Sequence, residues 1–160
     1  KKLSFETFDL NHWKRDISIS LDGAFICTKV FGSLMAKQKD GIILNISSDL
    51  GIIAPNQNIY KSLGFVKPVT YSVVKHGIIG LTKYTASYWA KKGVRCNAIA
   101  PGGITNNQSK KFLNKVNSLI PLNRLANVNE YNDLVLFLCS KSSSYMTGSI
   151  IIADGGRTII

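Results

Sequence analysis

The chain has 160 residues, 45% of them hydrophobic, enough for one domain with a real core and too apolar for a disordered segment. Lys and Arg outnumber Asp and Glu by 20 to 9, a formal charge of +11. The basic residues are scattered, however, without a helix-turn-helix pattern or an aromatic-interleaved stripe, so they read as a solvated surface favouring anionic substrates and not as a nucleic-acid site.

No stretch approaches the uninterrupted apolar length of a membrane span, and Lys1-Lys2-Leu3-Ser4-Phe5-Glu6 does not read as a secretory leader. The expected location is therefore the cytoplasm, with neither a membrane nor a nucleic acid as partner. Cys27, Cys96 and Cys139 sit among apolar neighbours without metal-ligand spacing, and read as buried, reduced thiols with no metal site.

In chain order, a helix is expected over roughly 12–37, apolar around most of its circumference through Ile17, Ile19, Leu21, Phe25, Ile26, Val30, Phe31, Leu34 and Met35. A Gly-led apolar strand follows at Gly41–Ile46. A second helix with two apolar faces runs over about 70–91, carrying Val73, Val74, Ile78, Ile79, Leu81, Tyr84, Tyr88 and Trp89. The second strand is Gly93–Ile99. The stripe Phe112, Leu113, Val116, Leu119 and Ile120 then marks a short amphipathic helix over 107–119, either a mobile lid or an ordinary surface helix. A helix over 128–140 and a third strand at Gly148–Ala153 complete the series. Alternating strands and helices imply an α/β fold with right-handed crossovers. A helix packed only on a sheet needs one apolar stripe, so the two-faced helices point to self-association as a homodimer or homotetramer.

Ligands of open parallel sheets bind beyond the carboxyl ends of the strands. The first strand ends at Ser47-Ser48, the second at Pro101-Gly102-Gly103-Ile104, and the helix bearing Tyr71 and Lys75 starts from the same edge. A phenol and an ammonium four residues apart share one helix face. The cation favours the phenolate, and a serine hydroxyl brought beside them can hold a substrate oxygen as charge develops on it. Glycines in the turn let backbone approach a flat ring.

With Asn45-Ile-Ser-Ser48, Tyr71-Ser-Val-Val-Lys75, Gly93-Val-Arg-Cys-Asn97, Pro101-Gly102, Pro121-Leu-Asn-Arg124 and Asp154-Gly155-Gly156, the chain resembles the short-chain dehydrogenase/reductase family over almost its whole length. The resemblance implies the C-terminal part of a Rossmann-like doubly wound parallel sheet with helices on both faces. It implies Tyr71 as the catalytic acid/base, Ser48 as the group orienting the reacting carbonyl or alcohol, and Lys75 as the partner of the phenol and of the nicotinamide ribose. Pro101, Gly102, Ile104 and Thr105 would line the nicotinamide of NAD or NADP, together with Tyr71 and Lys75.

Three positions depart from the family pattern. Ser20 stands where the family often has an asparagine supporting a proton-relay water, which makes Ser20 a fourth candidate catalytic residue. Tyr71 follows Ser48 by 23 residues, a longer spacing than usual, and the insertion Asp49–Lys67 would shape the substrate pocket. It is similar to family members acting in bacterial surface-sugar and flagellin-glycan biosynthesis. Asn106 occupies the place of a usual threonine, with Thr105 adjacent.

No GxGxxG or GxxxGxG turn precedes the first strand. Residues 1–160 therefore read as a single partial Rossmann-type domain lacking the N-terminal Gly-rich half. The expected function is an NAD(P)-dependent oxidoreductase acting on a secondary alcohol or ketone, such as a sugar derivative, with this chain alone inactive. The alternative from another class is a non-catalytic oligomerising fragment or scaffold.

Overall fold

The computed structural model describes residues 4–61 and 63–160. Among them, α1 (Leu10–Ile17), a π-helical turn (Ser18–Asp22) and α2 (Gly23–Gln38) form one continuous helical run. It ends where Lys39 turns into the left-handed region, and β1 (Gly41–Ile46) follows. After a one-turn helix α3 (Asn58–Lys61), Pro68 opens α4 (Val69–Trp89); its fixed φ and missing N–H suit a helix start. Then come β2 (Val94–Pro101), α5 (Lys110–Asn117), α6 (Asn132–Leu138) and β3 (Ile150–Ala153).

The strands form a parallel sheet in the order β1-β2-β3, with Gly41 opposite Val94, Ile46 opposite Ile99 and Ala98 opposite Ile150. The expected strands and long helices all form, β1 with the expected bounds and the others with boundaries shifted by at most three residues. The segment expected as one helix over 128–140 divides into a 3₁₀ turn (Val128–Tyr131) and α6, and α3 inside the insertion is additional.

The main core lies where α4 packs on the sheet: Val74, Ile78, Val94, Cys96, Ala98, Ile99 and Ala100 are all buried. Buried Thr82 joins helix to strand, donating to the Ile78 carbonyl and accepting from Asn45 Nδ2 at 2.9 Å. Several motif residues serve this scaffold. Arg95 donates to the carbonyls of Leu138, Ser140 and Met146, tying the end of α6 to β2. Asn97 donates to Met146 O and accepts from Ser149 N, fixing the approach to β3. The Asp154 carboxylate accepts from Gly156 N and Thr158 N, pinning the turn after β3.

A second cluster joins the insertion to the segment after β2. Buried Ile59 and Tyr60 meet Val116, Ile120 and Leu125, with Phe112, Leu113 and Leu119 packed around them. The apolar face of α5 is thus seated on the insertion.

Two expectations are corrected. Cys96 alone is buried, and burial pushes its thiol pKa up to about 12; Cys27 and Cys139 are exposed free thiols. Cys27 follows exposed Phe25 and Ile26, whereas Cys139 is exposed directly after buried Leu138, so apolar neighbours in sequence do not decide which way a thiol faces. The helical run Leu10–Gln38 is, by length and composition, long and apolar enough to cross a membrane. Lys14, Arg15, Asp16, Asp22, Lys29 and Lys37 interrupt its apolar residues, so a criterion of uninterrupted length passed over it. The second apolar faces expected on the long helices are present and uncovered in the single chain: Phe25, Ile26, Val30, Phe31 and Leu34 are each more than half exposed, as are Tyr84 and Tyr88.

Candidate active site

At the carboxyl ends of β1 and β2, the chain encloses a cleft of about 470 Å³ whose lining includes Ser48, Tyr71, Gly102, Gly103 and Ile104. These residues come from three separate stretches of chain, and the parallel register brings them to one edge. Ser47 N–H donates to Ile99 O at 2.8 Å, extending the β1–β2 pairing up to the serine pair. Ser47 Oγ then donates to the Lys75 carbonyl at 2.8 Å, fastening the strand end to α4. Gly51 makes that approach possible: a Cβ there would lie 2.5 Å from Ser47 Oγ and 2.8 Å from the Lys75 carbonyl oxygen. Gly102 serves the other side in the same way, since a Cβ would come within 2.8 Å of Asp154 Cα.

Lys75 follows Tyr71 by one helical turn, its ammonium 5.8 Å from the centre of the phenol ring. It donates to Ile46 O at 3.0 Å, and burial lowers its pKa. An ammonium has three N–H donors, so two remain for other acceptors. Tyr71 and Lys75 also face a second recess of about 520 Å³, shared with Asp16, Ser20, Asn45 and Thr70. Ser20 lies on the π-helical turn, a distortion that frequently marks functional sites in helices. Thr70 Oγ1 donates to Asp16 Oδ2 at 2.6 Å, holding the end of α1, just before that turn, against the start of α4. Ser20 therefore sits on the Lys75 side of the phenol, across from the cleft that holds Ser48.

Ser48 is buried and caps a short 3₁₀ turn (Asp49–Gly51) by accepting from Leu50 N at 3.2 Å. Its hydroxyl donates to Asp49 Oδ1 at 2.7 Å. Asp49 Oδ2 is in turn paired with Arg157 Nη1 at 2.7 Å; both side chains are buried, and they lie 108 residues apart in sequence. An arginine three residues beyond Asp154 thus holds the carboxylate that holds the candidate catalytic hydroxyl. Asp49, Arg157 and Lys67 join the site without any motif in the sequence to mark them. The only signal for the first two was their adjacency to Ser48 and to the Asp-Gly-Gly turn.

Lys67, at the end of the insertion, places its ammonium 3.7 Å from the centre of the Tyr71 ring. Its backbone is clamped by Gln57, which accepts from Lys67 N at 2.9 Å and donates to Lys67 O at 3.1 Å. Ile104 is bridged to Ala126 and lines the cleft. Pro101 ends β2 opposite Ala153. The expected nicotinamide contact Thr105 is exposed and outside the cleft lining, its N–H bonded to Ala126 O at 2.9 Å.

Residues 1–158 match a family model described as enoyl-(acyl carrier protein) reductase. The chain is 37% identical over 152 residues to the 3-oxoacyl-[acyl-carrier-protein] reductase FabG of Thermotoga maritima, covering 92% of this chain and 57% of that protein. It is 36% identical over 155 residues to the trans-4-hydroxycyclohexanecarboxylate dehydrogenase of Sinomonas cyclohexanicum, covering 97% and 55%. The crystal structure of a short-chain dehydrogenase from Leptospira borgpetersenii with bound NAD+ superposes with a TM-score of 0.90 at 35% identity, over 96% of this chain and 59% of that one. The chain spans a little over half the length of the curated relatives it matches.

Proposed function

Because this chain belongs to the short-chain dehydrogenase/reductase family, we propose that the intact protein is an NAD(P)-dependent oxidoreductase interconverting a secondary alcohol and a ketone. The observation that carries this reading is the convergence of Ser48, Tyr71 and the Gly102–Ile104 backbone on one cleft, with Lys75 one turn behind the phenol.

The donor set suits the nicotinamide end of a dinucleotide. Lys75 has N–H groups to spare for ribose hydroxyls, and the turn after β2 offers backbone unobstructed by side chains. The sequence holds no Gly-rich turn ahead of β1, so no residue of this chain is assigned to the pyrophosphate. When bound, the nicotinamide supplies the hydride for reduction or accepts it in oxidation. Tyr71 gives its phenolic proton to the carbonyl oxygen, or takes the proton of the alcohol in the reverse direction. The Lys75 ammonium stabilises the phenolate left behind. Ser48 spends its single proton on Asp49, and beyond its bond from Leu50 N keeps acceptor capacity for a substrate hydroxyl. It is thus set to bind the alcohol form and must turn from Asp49 to donate to the ketone. Ser20, which lines the recess shared with Tyr71 and Lys75, is the candidate to hold a relay water there.

The finer reading, a sugar derivative in surface-glycan or flagellin modification, rests on the insertion, whose Tyr60, Phe65 and Lys67 wall the cleft. The uncovered apolar sides of α2 and α4 support self-association as a homodimer or homotetramer. Without a phosphate-binding turn, residues 1–160 by themselves form a partial domain expected neither to hold the cofactor tightly nor to turn over; micromolar NAD(P)H affinity by titration calorimetry would refute that. In the intact protein, Tyr71→Phe should lower kcat by about 10²–10⁴-fold while leaving cofactor affinity near its original value. Unchanged turnover in that variant removes Tyr71 from the role of acid.

A further inference from the structure

We propose that the cleft takes a substrate bearing a carboxylate or phosphate close to its reacting carbon, and that Lys67 is the cation that binds it. The inference rests on the oxidoreductase reading and supplies its substrate class. Lys67 projects into the same cleft as Ser48 and lies over the Tyr71 ring at 3.7 Å, so an anion paired with it sits beside the reacting oxygen.

Apart from the hydroxyls of Ser48, Tyr60 and Tyr71, the other polar side chains lining the cleft are already engaged within the protein. Asp49 is held by Arg157, Ser48 and Leu50 N. Gln108 accepts from Asn106 N and donates to Ile104 O. Ser109 caps α5 by accepting from Phe112 N. Arg157 is buried and its charge is matched by Asp49. Among the described residues, no carboxylate lies within ion-pair distance of Lys67.

Its position is also fixed in advance. The Gln57 side chain bonds both the N–H and the C=O of Lys67, and Pro68 follows at once, so the ammonium is presented from a restrained backbone. A half-buried ammonium without a counter-charge is costly, and burial accordingly lowers the Lys67 pKa, with Arg157 and Lys75 adding to the effect and Asp49 opposing it. An anionic ligand relieves that cost. The aromatic ring beneath it offers a weaker attraction. The aromatic side chains Tyr60, Phe65 and Phe112 on the cleft wall lower the local polarity and so strengthen a charge pair formed there.

The test uses the intact protein loaded with NAD(P)H and two matched pairs of carbonyl compounds: acetoacetate against methyl acetoacetate, and dihydroxyacetone phosphate against dihydroxyacetone. Within at least one pair the anion should be favoured in kcat/KM by about ten- to a hundredfold, the range of a charge-assisted hydrogen bond. The pair showing it separates carboxylate from phosphate. In Lys67→Met that ratio should collapse toward one, and in Lys67→Arg it should largely persist. A ratio at or below one in the wild type for both pairs, or a ratio unchanged in Lys67→Met, overturns the proposal. Calorimetric binding of the same four compounds keeps the two readings apart. Lys67-dependent anion binding without reduction of any carbonyl would count against the oxidoreductase reading and leave the anion site standing. Binding that ignores charge would overturn the anion site whatever the turnover.

Discussion

Replacing Arg157 by methionine strands Asp49 as a buried charge. Both side chains are less than a tenth exposed, so solvent screens the pair little. Unit charges about 4 Å apart attract by about 4 kcal/mol at an effective dielectric near 20. Removing one partner of a buried pair typically costs about 3–5 kcal/mol, because the survivor keeps its desolvation penalty. Asp49 would still accept from Ser48 Oγ and Leu50 N, both at 2.7 Å, which sets the expected loss near the lower end, about 3 kcal/mol. Urea unfolding of the intact protein at fixed m-value measures it directly. The companion variant Asp49→Asn, combined with Arg157→Met, should be less destabilised than the two single losses added together, since neither charge is then left alone. Turnover should fall in Arg157→Met as well, because Ser48 is oriented by the carboxylate that Arg157 holds. A loss below about 1 kcal/mol, within the usual range for an exposed pair, would refute the view that this pair anchors the serine turn.

Gly51→Ala should destabilise the intact protein by about 1–3 kcal/mol, since the new methyl meets Ser47 Oγ and the Lys75 carbonyl at 2.5 and 2.8 Å and must push α4 from the strand end; a neutral result in urea unfolding would show that this approach is not tight. Lys67, depressed below its ordinary 10.5 by burial, should lose its proton at a lower pH than an exposed lysine. Between its folded and unfolded pKa values the unfolded chain binds more protons, so the Lys67 contribution to stability rises with pH across that window. Affinity for an anionic ligand falls across the same window, and a pH series of acetoacetate binding that stays flat up to 10.5 would contradict it.

The strands, the long helices and the meeting of Ser48, Tyr71 and Gly102 at one sheet edge were legible because they follow from local periodicity and from the polarity of parallel strands. Tyr71 and Lys75 are neighbours on one helix, which spacing alone dictates. The Asp49–Arg157 pair was not legible, because nothing local marks a contact across 108 residues. The burial of Cys96, set against the exposure of Cys27 and Cys139, depends on which helix faces meet the sheet. Lys67 escaped notice for a related reason: one lysine among many in a basic chain is distinguished only by the Gln57 clamp and by the ring beneath it.

The motif residues divide by physical task. Arg95, Asn97 and Asp154 bond to backbone around β2 and β3, and their effect on chemistry passes through the position of the Gly102 turn. Ser48, Tyr71 and Lys75 face open space in the cleft or the recess beside it, and can act on a ligand. Asp49 and Arg157 join the two groups: one follows the candidate catalytic serine, the other follows the turn that closes β3. The serine hydroxyl is therefore set by both ends of this sheet, so a change near residue 157 should register in turnover as well as in stability. A scaffold that used this fold only for association would have no need of that linkage. A scan of stability against turnover through the Asp154–Arg157 turn distinguishes the two cases: turnover that tracks the folded fraction alone favours the scaffold, and turnover lost in proteins that remain folded favours the enzyme.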